Sequence, residues 1–192
     1  VVTKAVHERI MREVIEPTVR GMAAEGHPYT GFLYAGLMVS PDGAVKVLEY
    51  NCRFGDPETQ PILMRLKSDL AALCLAALEG RLHQVQAEWD PRAALGVVMA
   101  AGGYPGAYGK GDAITGLDGA DGEAVKVFHA GTAEREGEVV TSGGRVLCVT
   151  ALGETVGEAQ ARAYRAVEGI RWEGAYYRTD IGHRAIRRER GD

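Results

Sequence analysis

The chain has 192 residues, 46% of them hydrophobic and 25% charged, with a net charge of −4 at pH 7. That composition belongs to a globular protein of one large or two small domains with a real core. The acidic balance argues against nucleic acid or an anionic membrane as the main partner, and no apolar run is long enough to span a bilayer. Cys52, Cys74 and Cys148 are odd in number and widely spaced, which favours reduced thiols in a cytoplasmic setting over disulfides or a zinc site.

Residues 4–24 predict a helix, with Glu8/Arg12 and Glu16/Arg20 as i,i+4 pairs and Pro17 either kinking it or starting a second one. Thr30 to Ser40 and Val45 to Asn51 predict two strands of a hairpin around Pro41-Asp42-Gly43, the second with the apolar, β-branched character of a buried strand. Helices are expected at 58–66 and 69–79, the second capped by Ser68 and ended by Gly80. The polar stretch 81–92 places a domain boundary, giving domains 1–82 and 83–192. Leu95 to Ala101 reads as a buried strand, followed by a Gly/Tyr/Pro loop and strands near 125–129, 138–141 and 145–151. Thr155 and Glu158 form a capping box for a helix with Val156, Ala159, Ala163, Val167 and Ile170 on one face. The arginine-rich tail 178–192 reads as a solvated terminal helix. Met38, Met64 and Met99 lie in apolar runs and are expected in the core, while His129 reads as an ordinary hydrogen-bonded histidine.

The stretch Glu49-Tyr-Asn-Cys-Arg-Phe-Gly-Asp-Pro-Glu-Thr-Gln60 carries the chemistry. Alternation along a strand puts Glu49, Asn51 and Arg53 on one face, with Leu48 and Tyr50 opposite. A carboxylate and an amide oxygen suit a hard cation such as Mg²⁺, and a guanidinium is the side chain best shaped to hold phosphate oxygens in a fork. The same residues also permit a plainer arrangement, with Glu49 paired to Arg53 and Asn51 opening a turn. Gly55, Asp56, Pro57 and Glu58 then supply a loop that can approach a ligand closely and surround it with charge. Gly103 and Tyr104 in one glycine-rich loop, and Gly144 and Arg145 in another, have the composition of anion cradles or of simple turns.

Asn51-Cys-Arg-Phe-Gly-Asp-Pro-Glu-Thr-Gln60 closely resembles the signature of the phosphoribosylamine–glycine ligases, or glycinamide ribonucleotide synthetases. Tyr29-Thr-Gly-Phe-Leu-Tyr-Ala-Gly-Leu37, Gly102-Gly-Tyr-Pro-Gly106, Lys126-Val-Phe-His-Ala-Gly-Thr132 and Gly143-Gly-Arg-Val-Leu-Cys-Val-Thr-Ala151 agree with it. The resemblance implies an α+β chain: the C-terminal part of an ATP-grasp domain over 1–82, then a small, mostly antiparallel domain over 83–192. It also implies that earlier parts of the same enzyme precede Val1, and the absence of an initiator Met fits a fragment.

The activity implied is ATP-dependent joining of glycine to 5-phosphoribosylamine through a glycyl phosphate, in purine biosynthesis. By the same resemblance Glu49 and Asn51 hold Mg²⁺ or Mn²⁺, Leu48 and Arg53 contact ATP, and Arg53, Asp56 and Glu58 serve catalysis. Gly103, Tyr104, Gly144 and Arg145 are implied on the substrate side. In many ATP-grasp enzymes the first hairpin strand adds an acidic metal ligand, roughly where Leu37 stands, and this chain has none there. The alternatives are another ATP-grasp carboxylate-amine ligase or carboxylase, or a non-catalytic binding module.

Overall fold

The computed structural model describes residues 2–191. Its class is α+β, with every strand pair among the described residues antiparallel. Contacts group the chain into two compact units. One holds the residues up to Gly55 together with Ser68–Ala87, and the other holds Asp56–Lys67 together with Glu88 onward.

In the first unit α1 (Lys4–Ile10), a π-wound segment (Met11–Ile15) and α2 (Glu16–Ala24) form one continuous helical path. Pro17 neither breaks nor ends it. Proline has no N–H and its ring crowds the carbonyl four residues back. The helix meets that demand by widening just before it, with the Glu16 N–H bonding to the Met11 carbonyl. Arg12 pairs with Glu13 at 2.8 Å rather than with Glu8 as expected, while the Arg20–Glu16 pair forms at 3.3 Å.

The hairpin consists of β1 (Tyr34–Val39) and β2 (Val45–Asn51). β1 starts later than the expected Thr30, because the residues before it are committed to a turn. The Tyr29 hydroxyl donates to the Phe32 carbonyl at 2.8 Å, and the Phe32 ring packs on Phe54 with centroids 4.0 Å apart. Asp42 makes the expected turn, its carboxylate accepting from the Ala44 N–H at 3.2 Å and from the Ser40 hydroxyl. Arg9 ties the helix to this turn through the Gly43 carbonyl at 2.6 Å, and the Thr18 and Tyr50 hydroxyls meet at 2.8 Å.

Two expectations fail here. β2 is not buried: Leu48 is 66% exposed and Tyr50 40%. Met38 is 58% exposed and not in the core. A two-stranded sheet gives these apolar side chains no second layer to pack on. The same unit holds α4 (Leu70–Leu78), whose N-cap is Asp69 rather than Ser68: its carboxylate accepts from the Ala72 N–H at 3.0 Å.

The second unit is built on a three-stranded sheet in the order β3 (Ala93–Ala100), β7 (Arg145–Gly153), β4 (Val125–His129). The register sets Leu95 opposite Ala151, Val97 opposite Val149 and Met99 opposite Leu147. That face packs on Ala159, Ala163 and Val167 of α5 (Val156–Val167) to form the core. On the other face Gly96, Cys148 and Thr150 lie beneath Pro61 of α3 (Thr59–Arg65); a Cβ at Gly96 would meet the Cys148 sulfur at 3.0 Å and Pro61 at 3.7 Å. Burial pushes the Cys148 thiol above its ordinary pKa, with the Thr150 hydroxyl working against that.

Thr155 caps α5 as expected, accepting from the Glu158 N–H at 3.1 Å, but the Glu158 carboxylate returns to the Glu154 N–H, at 2.8 Å. The terminal helix α6 (His183–Arg190) does more than cover itself with charge. Its Glu189 accepts from the Val156 and Gly157 N–H groups at 2.8 and 3.3 Å, completing the cap of α5. The hairpin β5 (Thr132–Arg135) and β6 (Glu138–Thr141) adds a strand that sequence reasoning missed, since Thr132–Arg135 is short, polar and joined by Glu136-Gly137.

Candidate functional site: a hairpin end and a glycine-turn cluster

The motif 49–60 is shared between the two units, which divide between Gly55 and Asp56. On the first unit Glu49 and Asn51 close β2, and the Asn51 side-chain amide donates to Glu49 Oε1 at 3.1 Å. The two oxygen donors are therefore on one face, as expected, although strict alternation does not hold along the whole strand. Gly36 pairs with Glu49 but Leu37 pairs with Val47, so Leu48 is the extra residue of a β-bulge. The cross-strand neighbours of Glu49 and Asn51 are Gly36 and Tyr34, not Leu37. The conclusion that β1 brings no carboxylate to this face stands.

Arg53 lies past the strand end, with its guanidinium on the Phe54 carbonyl at 2.8 Å. Among the described residues no ion pair joins it to Glu49, so the plainer Glu49–Arg53 arrangement is not the one adopted. Nearby, burial raises the Tyr29 phenol above its ordinary pKa, and the Cys52 thiol adds to that.

In the second unit Asp56 meets Arg145 across 89 residues of sequence. The guanidinium holds the Asp56 carboxylate at 2.9 Å and its carbonyl at 3.2 Å. Glu58 precedes α3 and its carbonyl accepts from the Ile62 N–H at 3.2 Å, which puts its carboxylate at the helix start, where negative charge is favoured. α3 is fixed in turn to the start of β3. Arg65 donates to the Asp90 carbonyl at 3.1 and 3.0 Å, and Arg92 grips the Asp90 carboxylate at 2.7 Å, holding that acid well below the usual carboxylate range.

The other two candidate segments meet beside Arg145. The Ala101 N–H donates to the Gly144 carbonyl at 2.8 Å, joining the loop after β3 to the turn before β7. Gly144 is pressed against an aromatic side chain, since a Cβ there would stand 2.3 Å from Tyr104 Cδ2. Gly103 sits at φ +93 with the Ala107 carbonyl 2.3 Å from where its Cβ would be, so the turn admits no side chain. Asp56, Gly103, Tyr104, Gly144 and Arg145 thus belong to one cluster. The sequence suggested each separately but gave no sign that Asp56 pairs with Arg145.

Among the described residues no three His, Cys, Asp or Glu side chains group to hold a metal unaided. Glu49 and Asn51 fit a different need. A phosphate-bound Mg²⁺ takes one or two protein oxygens and completes its shell from phosphates and water. The hydrogen bond between them uses the Asn51 nitrogen and one Glu49 oxygen, so the Asn51 oxygen and the second Glu49 oxygen take no part in it. No helix is long and apolar enough to cross a membrane among the described residues.

The bulged hairpin, ending in two adjacent oxygen-bearing side chains and followed by an arginine, lies in the part of this α+β chain that matches an ATP-grasp domain. The models of two domains agree: phosphoribosylglycinamide synthetase, ATP-grasp (A) domain, over residues 1–59, and the C domain of the same enzyme over 94–184. The chain belongs to the phosphoribosylglycinamide synthetase family. It is 66% identical over 189 residues to the phosphoribosylamine–glycine ligase of Vibrio vulnificus, covering 98% of this chain and 44% of that protein. To the ligase of Pseudomonas aeruginosa it is 64% identical over 192 residues, covering all of this chain and 45% of that one.

A crystal structure of the Thermotoga maritima phosphoribosylamine–glycine ligase matches with a TM-score of 0.80 at 39% identity, over 94% of this chain and 44% of that one. Rhizobium etli pyruvate carboxylase shares the fold alone, with a TM-score of 0.62 at 17% identity over 92% of this chain and 18% of its own. The chain spans less than half the length of these curated relatives.

Proposed function

We propose that this chain is the metal- and phosphate-handling part of a cytoplasmic ligase that joins glycine to 5-phosphoribosylamine in purine biosynthesis, cleaving ATP to ADP and phosphate. The observation that carries the proposal is the pairing of Glu49 and Asn51 on one strand face, the Asn51 amide donating to Glu49 Oε1 at 3.1 Å, with Arg53 following. In this reading residues 1–82 complete an ATP-grasp domain and 83–192 form the C-terminal domain. The exposed apolar side chains of the hairpin and of α4, such as Met38 and Leu75, are surfaces that the preceding part of the enzyme would cover.

Glu49 and Asn51 would hold Mg²⁺ or Mn²⁺, which supplies charge neutralisation at the ATP phosphates. Leu48 would lie against the nucleotide. Arg53 would donate to the oxygens of the γ-phosphoryl group as its bond to ADP breaks and a new P–O bond forms to the glycine carboxylate. The amine nitrogen of 5-phosphoribosylamine then attacks the acyl carbon, and phosphate departs with one former glycine oxygen. Asp56 and Glu58 would orient the ammonium of glycine or the attacking amine. Gly103, Tyr104, Gly144 and Arg145 would border the substrate, with Arg145 fixing Asp56.

Nothing before Val45 resembles a nucleotide lid or a sugar-phosphate site. The 192 residues alone should therefore make no glycinamide ribonucleotide from ATP, glycine and 5-phosphoribosylamine, while a full-length ligase carrying them should. Turnover by the isolated chain above background would refute this division of labour. A full-length protein that used neither glycine nor 5-phosphoribosylamine would refute the assignment itself.

A further inference from the structure

Gly36 is an unusual residue for its place. It sits inside β1, where glycine weakens a strand, and its backbone is not in the left-handed region that glycine alone adopts freely. What its position requires is the missing side chain. A Cβ there would stand 2.9 Å from Glu49 Cγ and 3.7 Å from Glu49 Oε1. The side chain of Glu49 thus leans across the space that Gly36 leaves open, and from there its Oε1 receives the Asn51 amide at 3.1 Å.

The bulge completes the arrangement. Counting on from Leu37 opposite Val47, an unbroken ladder would set Gly36 opposite Leu48 and Glu49 opposite Ala35. A shift of one residue sends side chains to the other face. With Leu48 left out of the pairing, Glu49 falls opposite Gly36 and Asn51 opposite Tyr34.

We infer that Gly36 is a positioning residue: with the Leu48 bulge, it seats the Glu49 carboxylate beside Asn51 as a preformed metal–nucleotide half-site. The inference rests on the proposed role of Glu49, and its test separates the two. Mn²⁺·ATP is titrated calorimetrically into a full-length ligase carrying this segment, with Gly36 or Ala at position 36 combined with Glu or Gln at position 49.

Gly36→Ala should weaken binding on the order of 10-fold, the effect of losing a residue that orients a ligand. In the Glu49→Gln background it should cost little more, because no carboxylate remains to be misplaced. Equal losses in both backgrounds, or no loss with Glu49 present, would overturn the inference while leaving Glu49 a ligand. Unchanged binding in Glu49→Gln would overturn both. Should Gly36→Ala alone not fold, Gly36→Ala with Glu49→Ala should, since the Cγ that the new methyl meets is gone. If that pair also fails to fold, Gly36 acts through the backbone and the inference is wrong.

Discussion

Replacing Arg53 with lysine in a full-length ligase carrying this segment is expected to lower kcat on the order of 10²–10³-fold, the range seen when one preorganised donor is removed from developing charge. The KM for ATP should change much less. Lysine keeps the positive charge but loses the planar fork that matches two phosphoryl oxygens at once. An interaction that forms fully only as the phosphoryl group transfers lowers kcat and kcat/KM together, whereas one that merely holds ATP raises KM. The Arg53 guanidinium donates to the neighbouring Phe54 carbonyl at 2.8 Å, and Glu49 is engaged with Asn51 instead. If Arg53 were a structural ion-pair partner, lysine would be tolerated and alanine would lower the melting temperature rather than the rate. A full-rate Arg53→Lys enzyme would therefore return this residue to a scaffolding role.

Truncating Met99 to alanine should destabilise the second unit by about 2–5 kcal/mol, the range for removing a large core side chain. Met99 is fully buried on the face of β3 that meets α5, where Ala159, Ala163 and Val167 are also fully buried. Small residues on the helix let it approach the sheet closely, so neighbours have little freedom to collapse into the void. Met38→Ala is the matched control. Met38 is 58% exposed in β1, and its loss should change stability by less than about 0.5 kcal/mol. Urea unfolding of the 192-residue chain measures both. A cost below about 1 kcal/mol for Met99→Ala would mean that the sheet–helix layer repacks.

How far the sequence spoke depends on how local each feature is. Glu49 and Asn51 could be placed on one face because the two-residue period acts over adjacent positions and Pro41-Asp42-Gly43 anchors the turn. The role of Gly36 was hidden, because it follows from a register and a bulge that no local pattern encodes. The pairing of Asp56 with Arg145 was hidden for the same reason, the two being 89 residues apart. The apolar run of β2 correctly marked a strand but not what would cover it, so the expected burial failed at Leu48 and Tyr50. Pro17 announced a disturbance in the helix without saying that a wider turn would absorb it. The resemblance implied what pattern reasoning had no means to reach, namely which carboxylate and which amine the proposed ligase would join.

Oxygen labelling tests the central claim most directly. A full-length ligase carrying this segment is supplied with ATP, 5-phosphoribosylamine and glycine labelled with ¹⁸O in its carboxylate, and the phosphate released is examined by mass spectrometry. If the γ-phosphoryl group passes to the glycine carboxylate before the amine attacks, each phosphate carries one ¹⁸O. ADP and glycinamide ribonucleotide then form in equal amounts. Phosphate free of label, with glycine retaining both of its labelled oxygens, would contradict the glycyl phosphate and the ligase chemistry assigned to Glu49, Asn51 and Arg53.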